Sequence, residues 1–358
     1  MLKNLIGAPL LCLSCALLLH LPAFAAEALK IGFVYVSPIG QAGWTYQHDQ
    51  ARQAMEKSLG ATVQTSYVEA VPEGADAERV MREMAADGTR LIFATSFGYL
   101  EPALRVAADF KDVRFEHAGG YKTAANLNTY NARFYEGRWL AGWLAGKSSP
   151  SGVAGYVAGF PLPEVIQGIN AFALGMRAAN PNATVRVAWL GTWFDPPKER
   201  EAALALIGGG ADVLANHSGS PAVPQTAQER GVKVIGYQSD MSRFAPDAQL
   251  AAVTSDWSAY YTRVAQAVAA GTWKPQPMWG GMKDGMVRLS AVHAAVPAEV
   301  KRELAARERA LVAGNAGPFI GRLVDQEGRV RQERGALGDE AIAKMDWFVQ
   351  GIVGNLPK

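Results

Sequence analysis

The side chains in this sequence that could do chemistry are few and scattered. Beyond the first 25 residues the histidines are His48, His117, His217 and His293, and no two stand at the i, i+4 spacing that presents a pair of imidazoles to one metal ion. A lone histidine more often serves as a hydrogen-bonded structural group than as a catalyst. His217 stands apart because it follows the apolar run ADVLAN at the end of a strand. Two carboxylate pairs could do acid–base work, Glu199 with Glu201 and Asp325 with Glu327, and their contexts predict solvated helix and turn surfaces. Segment 141–148, AGWLAGKS, comes near a phosphate-binding loop, but Ala141 replaces the first required glycine and the stretch reads as helix ending at Gly146. No G-x-S-x-G elbow surrounds Ser96, and no G-x-G-x-x-G follows a strand. Nothing here calls for a metal, a cofactor or a catalytic residue.

Aromatic residues, by contrast, gather where strands end. The strand-end loops read Gly43-Trp44-Thr45-Tyr46, Ser96-Phe97-Gly98-Tyr99, Trp193-Phe194-Asp195, His217-Ser218, Tyr237-Gln238-Ser239-Asp240 and Trp279-Gly280-Gly281-Met282-Lys283-Asp284. In an open α/β sheet, small molecules bind in the crevice beyond the carboxyl ends of the strands. Loops that converge there with aromatic faces and a few polar groups describe a preformed, mostly apolar site. For Trp193 and Phe194 taken alone, packing on the neighbouring helix is the competing account. The other loops assign Trp193 to the site and leave Phe194 to packing. The candidate set is Trp44, Tyr46, Phe97, Trp193, His217, Asp240, Trp279 and Lys283.

The elements that must position these residues alternate. From Leu29 the chain reads as strand LKIGFVYV, a helix over 44–59, strand ATVQTSYVE, helix ADAERVMREMAADG, strand RLIFATS, helix LEPALRVAADF and strand VRFEHAGG. Short strands rich in Val, Ile, Phe and Tyr between amphipathic helices call for a parallel sheet covered on both faces. Segment 133–147, RFYEGRWLAGWLAGK, sets Tyr135, Leu140, Trp143 and Leu144 at helical spacing, with Gly137, Ala141 and Gly142 allowing close approach to another backbone. After the polar break SSPSG a second series of strand and helix runs to Asp240. The pattern then changes, and strand LAAVTSD with the aromatic helix from Trp257 reads as the chain returning to the first lobe. The expectation is an α/β fold of two Rossmann-like lobes with parallel sheets, joined by a hinge of several crossovers. The boundaries are set at 26–147 plus 252–285 for the N-terminal lobe and 148–251 plus 286–358 for the C-terminal one.

Residues 1–25 have the form of a secretory signal: Lys3, an apolar stretch, and Ala23-Phe24-Ala25 before the expected cut. Lipidation at Cys15 is the lesser alternative, because Cys12 stands where an aliphatic residue is wanted. Cys12 and Cys15 are the two cysteines of the chain, so cleavage after Ala25 leaves no thiol or disulfide and a periplasmic protein held by its core. Cutting 25 of 358 residues leaves 333, enough for two domains, and removes one lysine from a net charge of +2. So small a charge gives no support to nucleic-acid binding.

Tyr135-Glu136-Gly137-Arg138-Trp139-Leu140-Ala141-Gly142, Trp193-Phe194-Asp195-Pro196-Pro197-Lys198, Gly210-Ala211-Asp212-Val213, Ser239-Asp240 and Gly281-Met282-Lys283-Asp284-Gly285 together resemble the basic membrane protein (BMP) family. These are type I periplasmic binding proteins of ABC importers and include purine nucleoside receptors. The resemblance implies a type I periplasmic binding protein fold, a small-molecule ligand, a membrane permease as partner, and a monomer. Nucleoside-binding members read D-x-S-F-N after the first strand, with the aromatic stacked on the base. The matching Gln41-Ala42-Gly43-Trp44-Thr45 keeps the aromatic as Trp44 and loses the acid and the asparagine. A second stacking aromatic matches Trp193, and the ribose-binding carboxylate and lysine look like Asp240 and Lys283. The indoles of Trp44 and Trp279 reduce the room for a sugar, so the chain looks like the branch that takes free purine base, adenine in particular. A purine nucleoside ligand is the main alternative. A nucleoside hydrolase acting through Asp240 or Asp284 is the reading from another class.

Overall fold

The structure, a computed structural model, describes residues 27–357. The leader, its cut site and both cysteines lie outside these residues. The chain begins with β1 (Leu29–Val34), α1 (Trp44–Leu59), β2 (Val63–Val68), α2 (Ala75–Ala86), β3 (Leu91–Ala94), α3 (Leu100–Asp109), β4 (Arg114–Ala118) and β5 (Leu127–Ala132). Next come α4 (Phe134–Ser148), β6 (Val153–Ala158), α5 (Pro163–Ala179), β7 (Thr184–Trp189), α6 (Pro196–Gly208), β8 (Val213–His217), α7 (Ala222–Arg230), β9 (Lys233–Gln238) and β10 (Gln249–Ser255). It finishes with α8 (Ser258–Ala269), β11 (Met278–Gly280), β12 (Val287–Leu289), α9 (Ala298–Val312), β13 (Leu323–Val324), β14 (Val330–Gln332), α10 (Asp339–Ala343) and β15 (Ile352–Val353).

The strands form two large sheets. The first runs β11-β5-β4-β3-β1-β2 and every pairing in it is parallel. The second runs β12-β10-β9-β8-β6-β7-β15 and is parallel except for the antiparallel edge strand β12. Parallel strands need crossover helices, which cover both faces and bury them. Hence Ile31, Phe33, Leu91 and Phe93 in the first sheet and Ala154, Tyr156, Val213 and Ile235 in the second are fully or almost fully buried.

Local sequence sets the helices. In α2, Ala77, Val80, Met81 and Met84 recur at the spacing of one helical face and are buried, while Asp76 and Glu78 in the first turn suit the positive end of the helix dipole. Gly88 follows with φ of 84°, the left-handed conformation that stops the helix. In α6, Asp195 caps the N-terminus by accepting from the Lys198 amide at 3.1 Å, with proline in the first turn.

Helix α4 is buried almost all round, and glycine lets it be. A Cβ at Gly142 would overlap the Phe172 carbonyl, and one at Gly175 would overlap that of Trp139, so α4 and α5 pack backbone to backbone. Because α4 also lies on β10, β12 and α9, the chain has already left the first sheet by Phe134, not at the polar break after Lys147. The expected return also differs, since LAAVTSD forms β10 and pairs with β9 in the second sheet. Only α8, which packs on α1, and β11, which pairs with β5, rejoin the first lobe. Among the described residues three crossings therefore connect the lobes, at about 132–134, 256–258 and 281–286.

Strand β5, LNTYNA, is absent from the sequence expectation because its polar residues imitate a loop. Asn128 and Thr129 are buried, and Asn128 donates to Glu116 and to the Tyr260 hydroxyl, both at 3.1 Å. Glu116 in turn accepts from Tyr260 at 2.6 Å and from the Trp273 indole at 2.8 Å, which ties α8 and the following turn to β4. Burial pushes the Glu116 carboxyl above its ordinary pKa.

Candidate functional site

The carboxyl ends of both sheets open on one cleft of about 810 Å³. The first lobe contributes Trp44 from the start of α1, Phe97 after β3, Gly119 after β4, Asn131 from β5 and Trp279 from β11. The second contributes Glu164 from α5, Trp193 after β7, His217 and Ser218 at the end of β8, and Tyr237 and Gln238 at the end of β9. The lobes touch beside it. The Gly43 amide donates to the Ser239 hydroxyl at 2.9 Å, and a Cβ at Gly43, whose φ is 92°, would overlap the Gly219 carbonyl. Only glycine tolerates both that dihedral and that approach.

Of the candidate residues, Trp44, Phe97, Trp193, His217 and Trp279 line the cleft. Tyr46 does not: two residues along a helix turn the side chain by about 200°, away from the face that carries Trp44. Asp240 also lies outside the lining, exposed, with Oδ1 accepting from the Ser242 amide at 2.9 Å and from Gln249 at 2.7 Å. This closes a local turn and uses the oxygen internally. Lys283 is exposed in the turn after β11, where the Asp284 carboxylate folds back to the Gly281 amide at 2.8 Å.

The aromatic walls are held differently. The Trp44 indole donates to the Thr95 carbonyl at 2.6 Å and meets His48, Phe134 and Trp257 edge-on. The Trp193 ring meets Phe160 edge-on at 4.9 Å and lies against Gly159, where a Cβ would intrude. Phe194 is outside the lining.

Beneath the second wall sits a polar stack. Arg138, fully buried, holds its guanidinium 3.5 Å from the centre of the Tyr237 ring and donates to the Asn216 carbonyl. The Tyr237 ring is 4.6 Å from His217, whose Nε2 lies 3.6 Å from Glu164 Oε1. Burial lowers the His217 pKa against the opposing pull of Glu164, so the imidazole is held neutral. His217 Nδ1, the Tyr237 hydroxyl and the Trp279 indole N–H have no hydrogen-bond partner among the described residues. Buried polar atoms are nearly always partnered, and three without partners on one lining mark where a ligand's polar edge would be read.

Several site residues escape a sequence reading. Glu164, Asn131 and Tyr121 line the cleft but carry no motif. Gln238, in a strand-end loop the sequence does show, also lines it, and its φ of 65° is unusual for a residue other than glycine. Strain of that kind collects at functional sites. Glu199 is a correction: it is fully buried, accepting from the Ser218 and Ser220 hydroxyls at 2.8 and 2.7 Å, and burial raises its pKa. It fixes the loop that presents His217. Asp325 is likewise buried, not solvated. Burial alone would raise its pKa, but bonds from Arg329 and Arg331 at 2.9 and 2.8 Å take it down to about 2. Among the described residues no cluster of three or more histidine, cysteine or acidic side chains is placed to hold a metal. No helix among them is long and apolar enough to cross a membrane.

Two parallel-sheet lobes with a cleft at the strand ends define a type I periplasmic binding protein fold. A solute-binding protein of an ABC transporter system from Conexibacter woesei shares that fold, with a TM-score of 0.66 at 23% identity over 81% of this chain and 98% of its own. The chain belongs to the Bmp family, described as ABC transporter substrate-binding protein PnrA-like, whose model matches residues 28–313. A purine-binding protein of Brucella abortus is 48% identical over 94% of this chain and 96% of its own length. A Haloferax volcanii protein named as an ABC transporter glucose-binding protein is 39% identical over 92% and 82%. Family and relatives are substrate-binding proteins, not enzymes, which removes the hydrolase reading. Membership implies a small-molecule ligand and a permease partner, at the extracellular or periplasmic side of the membrane.

Proposed function

We propose that this protein, exported and cut after Ala25, captures a purine nucleobase, adenine first, and delivers it as a monomer to a membrane permease. The observation that carries the reading is the placement of Trp44 and Trp193 on the two walls of one cleft, each at a strand-end loop of a different lobe. Stacking of a base on an aromatic ring contributes about 1–3 kcal/mol. Two such contacts and two or three hydrogen bonds approach the roughly 8–12 kcal/mol that micromolar to nanomolar binding requires. The purine-binding relative supports the ligand class. Asp240 and Lys283, outside the lining, favour a base over a ribose-anchored ligand. The lobes built on the two sheets act as bodies that close about the three crossings, as hinge-closing receptors do.

The cleft volume favours a second reading. About 810 Å³ lies high in the usual pocket range of about 300–1,000 Å³ and exceeds what a base of about ten heavy atoms fills, so a purine nucleoside is the alternative ligand. Calorimetry with adenine, guanine, adenosine, inosine and glucose decides. Adenine is expected to bind most tightly, adenosine binding much more tightly than adenine sinks the free-base reading, and glucose alone sinks the purine reading. Mass spectrometry of the exported protein, expected to begin at Ala26, tests the processing step.

A further inference from the structure

Glu164 stands in the first turn of α5 with its side chain only 25% exposed, on the lining of the cleft. Its Oε2 accepts from Asn131 Nδ2 of the first lobe at 2.8 Å. Its Oε1 lies 3.6 Å from His217 Nε2, too far for a hydrogen bond. Among the described residues no lysine or arginine comes within ion-pair distance of it, so a largely buried carboxylate is left with one protein donor. An ionised carboxylate accepts at about four lone-pair positions and donates at none. Beside it, His217 is 7% exposed and its Nδ1 has no partner, and the neighbouring Tyr237 hydroxyl has none either.

From this geometry we propose that Glu164 is the specificity-determining residue of the cleft, accepting N–H donors from the ligand and rejecting a carbonyl oxygen set in the same place. The inference rests on the purine reading and refines it: an amino-substituted base is preferred to its oxo counterpart. An exocyclic amine offers two N–H donors on one atom to an acceptor-only group, whereas an oxo group brings lone pairs against lone pairs. Because Asn131 reaches Glu164 from the opposite lobe, the carboxylate reads the ligand at the seam where the lobes meet.

The test is calorimetric titration of the wild type, Glu164→Gln and Glu164→Asp with adenine, hypoxanthine and unsubstituted purine, with thermal melts to establish folding. The wild type should bind adenine at least about tenfold more tightly than hypoxanthine or purine. Glu164→Gln, which keeps the shape and turns one acceptor into a donor, should lose at least about tenfold for adenine while hypoxanthine stays within about threefold or improves. Glu164→Asp should keep the order adenine over hypoxanthine, and it serves as the variant if Glu164→Gln fails to fold. A wild type that binds purines but prefers the oxo base overturns the inference and leaves the purine reading standing. So does a Glu164→Gln effect that is equal for both bases or absent. A wild type that binds none of the three overturns both.

Discussion

On the first-sheet wall of the cleft Trp44 is fixed by its neighbours: its indole N–H is bonded to Thr95, and His48, Phe134 and Trp257 crowd its edges. On the second-sheet wall Trp193 meets Phe160 edge-on and His217 at a tilt, and His217, Tyr237 and Glu164 on that wall keep hydrogen-bonding capacity in reserve. One wall is thus mainly a rigid apolar platform whose ring also holds the lobe together. The other combines a less encumbered ring with the groups able to read a polar edge. A site split in this way can gain stacking from both walls while selectivity comes mostly from one.

The contrast is open to attack, most forcefully at the seam. Gly43→Val should lower ligand affinity by at least about a hundredfold, near 2.7 kcal/mol, because the side chain strikes the Gly219 backbone at a left-handed φ and keeps the walls apart. Retained affinity in calorimetry would show that the lobes bind without this contact. Trp44→Ala should cost about 2–4 kcal/mol of stability by denaturant unfolding, shifted below the about 3–5 kcal/mol for truncating a buried large aromatic because Trp44 is only partly buried. Trp193→Ala should cost less stability than Trp44→Ala, because fewer rings crowd it, and lower affinity at least about tenfold, near 1.4 kcal/mol. Equal stability losses for the two variants would erase the difference between the walls.

Smaller effects test the edges of the site. Arg133 donates to both oxygens of Asp339 at 2.7 and 2.6 Å, joining the first lobe to α10, whose neighbouring Lys344 lines the cleft. That pair lowers the Asp339 pKa, and Asp339→Asn should raise the ligand off-rate about threefold in stopped-flow measurements, modest because the aspartate is 63% exposed. For His217 the expected effect near neutrality is close to nil. Burial depresses its folded pKa, so its contribution to stability is complete above the ordinary value of about 6.5 and is lost as pH falls through the folded value. Affinity should therefore vary by less than about twofold from pH 8 to pH 7. Imidazole ¹⁵N shifts should report a mainly neutral ring at pH 7, and a mainly protonated ring there would contradict the burial argument.

Much of the alternating frame was legible because parallel strands and amphipathic helices obey periods written in local residues. Helix α1 was expected over 44–59 and occupies Trp44–Leu59. What misled was polarity in buried places. β5 hides Asn128 and Thr129 in the sheet, and Glu199 and Asp325, whose local sequence predicts a solvated surface, are each buried among donors. A buried polar group is stable only through partners distant in sequence, and no window of local residues shows them. The same limit moved the lobe crossings, since α4 belongs with α5 through glycine contacts that a helical pattern suggests without naming the partner.

By itself the sequence determined the alternation of strand and helix, the aromatic residues at strand ends, and through its motifs the resemblance that family membership has made firm. Those follow from periodicity and from residues close together in the chain. Tertiary structure alone decided that Tyr46, Asp240 and Lys283 stand outside the lining while Glu164, Asn131 and Tyr121 enter it. Whether a side chain at a strand end faces the cleft depends on helix phase, on local turns that consume a carboxylate, and on elements arriving from the other lobe.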